Sequence, residues 1–493
     1  MKSLSGLDGA FLSLETPATP MHVGSLHLFE MPPGYRRGFY AAVKRMMATR
    51  LHLAPIFRRR LVRMPLQFAN PVWIDADIDL DYHIRRLDLP APGSWQQLQD
   101  CVAELHAELL DRSQPLWMLY IIEGLANGEK AYYIKIHHAL IDGKSGVQLA
   151  GVLFDLTPVP RRIKAPKPER GAEEQPGMLE LAASALRHDG AQYRKLLKHL
   201  PELAVSVAGM LAPGDKVSTP TPKTRIFGDL WRNASFGPRT PFNRTITGAR
   251  GFAAASIPLT EVKAIATAHA TTINDVVLAL CGGALRRYLD RHGGIPSKPL
   301  IATMPISLRA PGNREFSTQA TLSLVSLATD IADPVQRLHA VQAAAGATKS
   351  VARRAKSVIP VDFPTIGGPW IVGALAAVYG KSGLADAIPP IANVVISNVP
   401  GPEAALYVAG ARMRAYWPLS IVEHGIGLNI TLMSYVDTLG IGITTASCVI
   451  PEPQELVSDI LAAHQELKRG ALSRARNPVN GSPRKTRAAR AHV

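Results

Sequence analysis

The sequence predicts an α/β protein of two comparable halves, each built on a mixed sheet, joined by a long helical linker. Three observations carry that expectation. Strand-like and helix-like segments alternate from about residue 24 to 156, and the same alternation restarts at about 251 and runs to 467. Between them lies a stretch rich in proline and charge, "PVPRRIKAPKPERGAEEQPG" (Pro158–Gly177), of the kind that forms an exposed connection. At 493 residues the chain is also too long for one ordinary core. The expected division is 1–157, a linker with bridging helices over 158–240, a second domain over 241–467, and a basic tail over 468–493.

Taken in order, "GSLHLFEM" (Gly24–Met31) alternates like a strand, and Phe39 to Arg50 has helical spacing. Ser94 to Leu110 reads as an amphipathic helix with Ser94 in the capping position. Pro115–Leu125 and Lys130–Ile136 read as strands joined by "ANG", an Asn-Gly turn signal, and Ser145–Leu156 as the next helix. Met178–Leu211 carries helical patterns that Gly190 and Pro201 are expected to interrupt, and Pro213–Pro241 reads as loop. In the second half a strand precedes a helix from Leu259 and a longer apolar helix from Asn274. Pro299–Leu308, Thr321–Asp330, Ala392–Pro400, Gly427–Val436 and Leu439–Ser447 are strand-like, and Pro451–Leu467 is a terminal helix.

Composition excludes several classes. No stretch reaches the roughly 18–20 apolar residues that span a bilayer; the nearest, Ile371–Tyr379, suits a core or interfacial helix. The N-terminus has no sustained apolar run after its lysine, so no secretory signal is expected. Three widely spaced cysteines (Cys101, Cys281, Cys448) suggest reduced thiols and a cytoplasmic setting. The net charge of +16 is concentrated: eight Lys or Arg and no acid lie from Lys468 to the end, and "FRRRLVR" (Phe57–Arg63) is a second cluster. With 6% aromatics and no nucleic-acid motif, the charge reads as solubility or as attraction to anionic lipid, not as nucleic-acid binding.

One stretch carries chemistry. "IKIHHALIDGKSG" (Ile134–Gly146) places His137 and His138 at the end of a strand, with Asp142 and Gly143 in the turn that follows. A metal site needs several converging ligands, but adjacent side chains on a strand point to opposite faces, and no HExxH or cysteine pair stands nearby. A single histidine facing a channel suits proton transfer, because imidazole titrates near neutrality (pKa ~6.5). The bland alternative is a well-packed pair in a loop. The joint pattern HHxxxDG arises by chance in roughly a few per thousand chains of this composition, which favours a function.

HHxxxDG after a strand resembles the signature of the coenzyme-A-dependent acyltransferase superfamily. "MHVG" (Met21–Gly24), "PLW" (Pro115–Trp117), "INDVVLALCGGALRRYL" (Ile273–Leu289), "MPISLR" (Met304–Arg309) and "ISNVPGP" (Ile396–Pro402) narrow the likeness. Together they resemble the bacterial wax ester synthase/acyl-CoA:diacylglycerol acyltransferase family over about residues 5 to 467. The resemblance implies two chloramphenicol-acetyltransferase-like domains with a channel between them. His138 would be the general base, with His137, Asp142 and Gly143 shaping the site, no metal and no cofactor beyond acyl-CoA as co-substrate. Asn274 and Asp275 would assist, although Thr272 and Asp275 also form a capping box. Pro115, Leu116 and Trp117 would approach the substrate or simply open a buried strand. Ser397 and Asn398 would line the channel or a rigid turn, Asn398 being the one expected to meet a polar group. The implied acceptors are diacylglycerol and long-chain alcohols, with the enzyme cytoplasmic and peripheral at a membrane or lipid inclusion. Two alternatives stand beside this: a condensation-type acyltransferase on carrier-bound substrates, and a non-catalytic lipid-surface protein. One departure is Asp437, in "SYVDTL" (Ser434–Leu439), where the family's pattern has glycine; a hairpin turn still tolerates it.

Overall fold

The computed structural model describes residues 1–35, 38–141, 143–164, 175–211, 236–307, 320–355 and 365–476. Asp142, most of the Pro213–Pro241 loop, Leu308 and Arg309, and the tail beyond Arg476 lie outside them. The chain opens with β1 (Lys2–Ser3), α1 (Gly6–Leu14), β2 (His22–Glu30), α2 (Phe39–Ala48), β3 (Arg59–Val62) and β4 (Val72–Asp75). α3 (Leu80–His83), β5 (Ile84–Asp88) and α4 (Trp95–Ala107) precede β6 (Trp117–Glu123), β7 (Lys130–His137) and α5 (Gly143–Leu153). α6 (Met178–Leu211) bridges to β8 (Arg250–Pro258), α7 (Leu259–Ala268), α8 (Ile273–Arg291), β9 (Ile301–Ser307), β10 (Ala320–Ser326) and α9 (Pro334–Ala355). α10 (Gly368–Lys381), α11 (Leu384–Ala387), β11 (Val394–Val399), β12 (Tyr407–Val408) and β13 (Ala411–Leu419) follow. The hairpin β14 (Leu428–Tyr435) and β15 (Thr438–Ala446) then leads to α12 (Pro453–Arg476).

Two six-stranded mixed sheets organise these elements, in the orders β12-β13-β2-β7-β6-β5 and β10-β9-β11-β14-β15-β8. A small sheet, β1-β4-β3, flanks the first. The order shows that the division at 157 and 241 is not kept by the strands. β13 leaves the second half and pairs antiparallel with β2, so that Tyr416 faces His27 and Pro418 faces Ser25. Without β13, β2 would be an unpaired edge. Met413, Trp417 and Leu419 of β13 accordingly belong to the core of the first half, beside Leu26, Phe29 and Tyr132.

Local signals explain most elements. Ser94 accepts from the amide of Gln97 while the Gln97 side chain accepts from the amide of Ser94, so α4 opens on a capping box. Thr272 and Asp275 do the same for α8. The long run of small and apolar residues in α8, Val276 to Leu285, is buried all round in the second core. No single helix among the described residues is long and apolar enough to cross a membrane; α7 and α8 pass together on length and composition, but they bend by 100°. α6 departs from expectation, running unbroken past Gly190 and Pro201. A tertiary clamp holds its middle: the Asp189 carboxylate accepts from the amides of Thr365 and Ile366 and from the Thr365 hydroxyl.

The hairpin containing Asp437 survives, with Tyr435 paired to Thr438. Its left-handed residue is Val436 (φ 54°).

Candidate active site

β7 ends on His137, and a single helical turn over His138–Leu140 follows, so the two histidines stand on either side of a strand end. His137 is fully buried; His138 turns the other way and lines a cavity of about 380 Å³. Each backbone amide is held, His137 by the Leu116 carbonyl (3.0 Å) and His138 by the Met21 carbonyl (2.9 Å). Nδ1 of His137 accepts from the Ala139 amide (3.1 Å), which leaves the proton on Nε2, 3.3 Å from Oε1 of Glu15.

α1, one of several elements that sequence reading left unassigned, completes the site. Phe11 and Glu15 are one helical turn apart and serve the two rings separately. The Phe11 ring stacks on His138, with centroids 4.1 Å apart and planes 23° from parallel. Glu15, just past the helix end, faces His137 and also accepts from the Met21 amide and from Nε and Nη2 of Arg112 (3.1 and 2.9 Å). Burial opposes ionisation of Glu15, yet His137 and the Arg112 guanidinium outweigh it and hold the carboxyl at about 2. The only available signal for this set was the Asp-Arg that precedes "SQPLW", and nothing in it named a partner about a hundred residues upstream.

Both sheets build the cavity, the second of them through every second residue of β9, β11 and β14. Across the first sheet, Ile134, Ser25 and Pro418 form one row over β7, β2 and β13. Across the second, Thr303, Val395 and Asn429 form another over β9, β11 and β14. Ile136, Ile141, Leu149 and Phe154 make the wall around His138 apolar, whereas Ser397 and Thr431 add hydroxyls opposite. His27, bonded to Ser25 (2.8 Å), is driven down to about 3 by burial and stays neutral. Glu423 also lines the cavity, and enclosure pushes its carboxyl up. No Lys or Arg is among the described lining residues.

The expected site residues divide sharply. His138 and Ser397 line the cavity, and Gly143 starts the helix behind it. Asn398 does not line it: Val395, Ser397 and Val399 do, and period-2 alternation turns Asn398 away. Pro115, Leu116 and Trp117 are off the cavity too. Trp117 is fixed structurally, its indole donating to the Phe57 carbonyl (3.0 Å) and stacking on His83. Asn274 meets Sδ of Met304 (3.7 Å), and Asp275 is engaged in its cap, so neither is among the lining residues.

Solved structures share the fold that places this imidazole in a cavity between two mixed sheets. The first condensation domain of the CDA synthetase aligns over 95% of this chain and 97% of its own, with a TM-score of 0.55 at 14% identity, a likeness of fold alone. The wax ester synthase/diacylglycerol acyltransferase from Marinobacter aquaeolei VT8 aligns over 96% of this chain and all of its own, with a TM-score of 0.67 and 29% identity. A sequence profile of the wax ester synthase/diacylglycerol acyltransferase catalytic domain matches residues 4–277, and that of the WS/DGAT C-terminal domain matches 317–468. A Mycobacterium tuberculosis protein provisionally named a diacylglycerol O-acyltransferase is 38% identical over 94% of this chain and 99% of its own. The chain belongs to the wax ester synthase/diacylglycerol acyltransferase family.

Proposed function

We propose that this chain transfers a long acyl group from acyl-CoA to the hydroxyl of diacylglycerol, and to long-chain alcohols as a second acceptor, with His138 as general base. The observation that carries the mechanism is the His138 imidazole, which lines the cavity stacked on Phe11, while the other lining histidine, His27, is bonded to Ser25 and kept neutral by burial. His138 takes the acceptor's proton as its oxygen attacks the thioester carbonyl. The tetrahedral intermediate collapses with loss of the CoA thiolate, and the imidazolium returns the proton to sulfur. Ester and free CoA are formed from thioester and alcohol with no electron gained or lost, so acyl-CoA suffices as co-substrate. His137 acts as a positioning residue, tied to α1 through Glu15. The apolar walls exclude water, which would otherwise compete as the nucleophile. The lipid substrates motivate a peripheral location at the inner face of the membrane or on lipid inclusions.

The test is purified protein given palmitoyl-CoA with dipalmitoylglycerol or hexadecanol, following CoA release and neutral-lipid product together. Ester from either acceptor, dependent on His138, is expected. CoA release without ester would make the protein a thioesterase, and neither product would sink the proposal.

A further inference from the structure

α10 leaves one face uncovered. Ile371, Leu375 and Val378, at i, i+4 and i+7, share a side of the helix and are 62%, 65% and 56% exposed. Trp370 beside them is 54% exposed, and Leu66, on the turn before β4, is 88% exposed. Leu66 is held out at a conformational cost: it and Gln67 both have positive φ (53° and 54°), a region costly for side chains with a Cβ. The Leu66 carbonyl accepts from the Trp370 indole (3.0 Å), and the Phe68 carbonyl from the Gly367 amide (2.7 Å). With the Asp189 clamp on Thr365 and Ile366, the apolar shelf is bolted to the protein along its base.

Its margins are cationic. Arg63 is exposed three residues before Leu66, and Arg239 and Arg244 are exposed at the other end beside one exposed acid, Asp386 of α11, whose carbonyl accepts from Arg239 and whose carboxylate accepts from the Thr245 amide and hydroxyl. Within Gly368–Lys381 there is no acid. The inner side of α10 packs against α1, whose Leu7 and Phe11 line the cavity. The Tyr379 hydroxyl lies against Gly425, in the turn whose flanking residues Glu423 and Ile426 line the cavity too. The shelf is therefore an outer wall of the site that holds His138.

We propose that the Leu66–α10 shelf is the surface by which the protein seats on an anionic lipid layer, its apolar side chains in the acyl region and its arginines at the headgroups. It rests on the acyltransferase reading above, and it gives that reading a route: an acceptor lipid leaves the layer beside α1 and reaches the cavity without crossing water. Exposed apolar patches mark interaction surfaces, and the arginines at both ends of this acid-free helix are complementary to anionic headgroups flanking an apolar layer.

The experiment uses the full chain and a triple variant, Ile371→Ser, Leu375→Ser and Val378→Ser, with vesicles of phosphatidylcholine with and without phosphatidylglycerol. Wild type is expected to co-sediment with the anionic vesicles, and the variant's partition to fall at least ~tenfold. Emission from Trp370, obtained by difference against Trp370→Phe, is expected to move to the blue when vesicles are added. Turnover of palmitoyl-CoA with a short water-soluble alcohol should be unchanged in the triple variant, while transfer to vesicle-borne dipalmitoylglycerol falls in step with binding. Undiminished vesicle binding by the variant, or Trp370 emission that does not move, overturns the docking surface. So does a wild type that ignores vesicles but forms a concentration-dependent dimer that the variant loses. Failure of wild type to acylate even the soluble alcohol would instead count against the enzymatic reading.

Discussion

His137 and His138 are neighbours in sequence with opposite surroundings, and their substitutions should separate accordingly. His138→Ala is expected to lower kcat by about 10²–10⁴-fold, the range of a lost general base. His137→Ala and Glu15→Gln should lower it by roughly 10- to 100-fold through misplacement, while leaving KM for palmitoyl-CoA nearly unchanged. Steady-state kinetics on the three variants checks the ordering; equal losses would put His137 in the chemistry. Glu15 also makes an acid-stability prediction. Its folded value of about 2 lies below the ordinary 4.5, so its contribution is complete above about 4.5 and is lost as pH falls toward 2. Thermal midpoints of Glu15→Gln should be lower than wild type at neutral pH and flatter across that window. The division of the histidine pair was legible in the sequence because it is a local matter, although the structure makes it with a turn that starts at His138 and not with strand alternation. The roles of Phe11 and Glu15 were not, since they depend on where α1 lands.

At the scale of elements, capping chemistry was readable and close approach was not. Ser94 and Thr272 each stand immediately before a helix, with the box partner, Gln97 or Asp275, three residues on. Gly440 and Gly442 looked like ordinary small residues of a strand. In the fold, β15 crosses so near β13 that a Cβ on Gly442 would stand 1.8 Å from the Pro418 carbonyl oxygen, and one on Gly440 2.1 Å from that of Tyr416. Gly442→Ala is therefore expected to destabilise the protein by about 3 kcal/mol, read as a shift in the denaturation midpoint, because backbone and not a flexible side chain must move. Asn398 teaches a related lesson. The motif was visible, but which of two adjacent residues faces the site is set by register, and the parallel pairing of Ser397 with Thr431 decides it.

For the whole molecule, alternating strands and helices were enough to expect two mixed sheets, and two are present. The passage of β13 from one half to the other was hidden, because a strand's sequence records its faces and not its partner. A chain ending at Pro400 should consequently fail to give a folded first half, since Met413, Trp417 and Leu419 complete that core. Size-exclusion chromatography should find aggregate, and a soluble monomer would mean the halves are separable. A second global prediction concerns acid. His27 and His106 are held near 3 by burial, against an ordinary 6.5, so the unfolded chain takes up protons that the folded one refuses. Thermal stability should decline as pH drops from about 6.5 toward 3, starting above the window assigned to Glu15 and then overlapping it.

The strand shared by the halves also limits how the molecule handles its cargo. Jaws that part between the two sheets would keep β13 on β2, but would have to break the bond of the Trp417 indole to the Ala255 carbonyl of β8 and pull β15 off β13, where Gly442 lies against the Pro418 carbonyl. Parting the sheets would therefore strip close backbone contacts as well as open the cavity, which ties the width of the cavity to the stability of the fold.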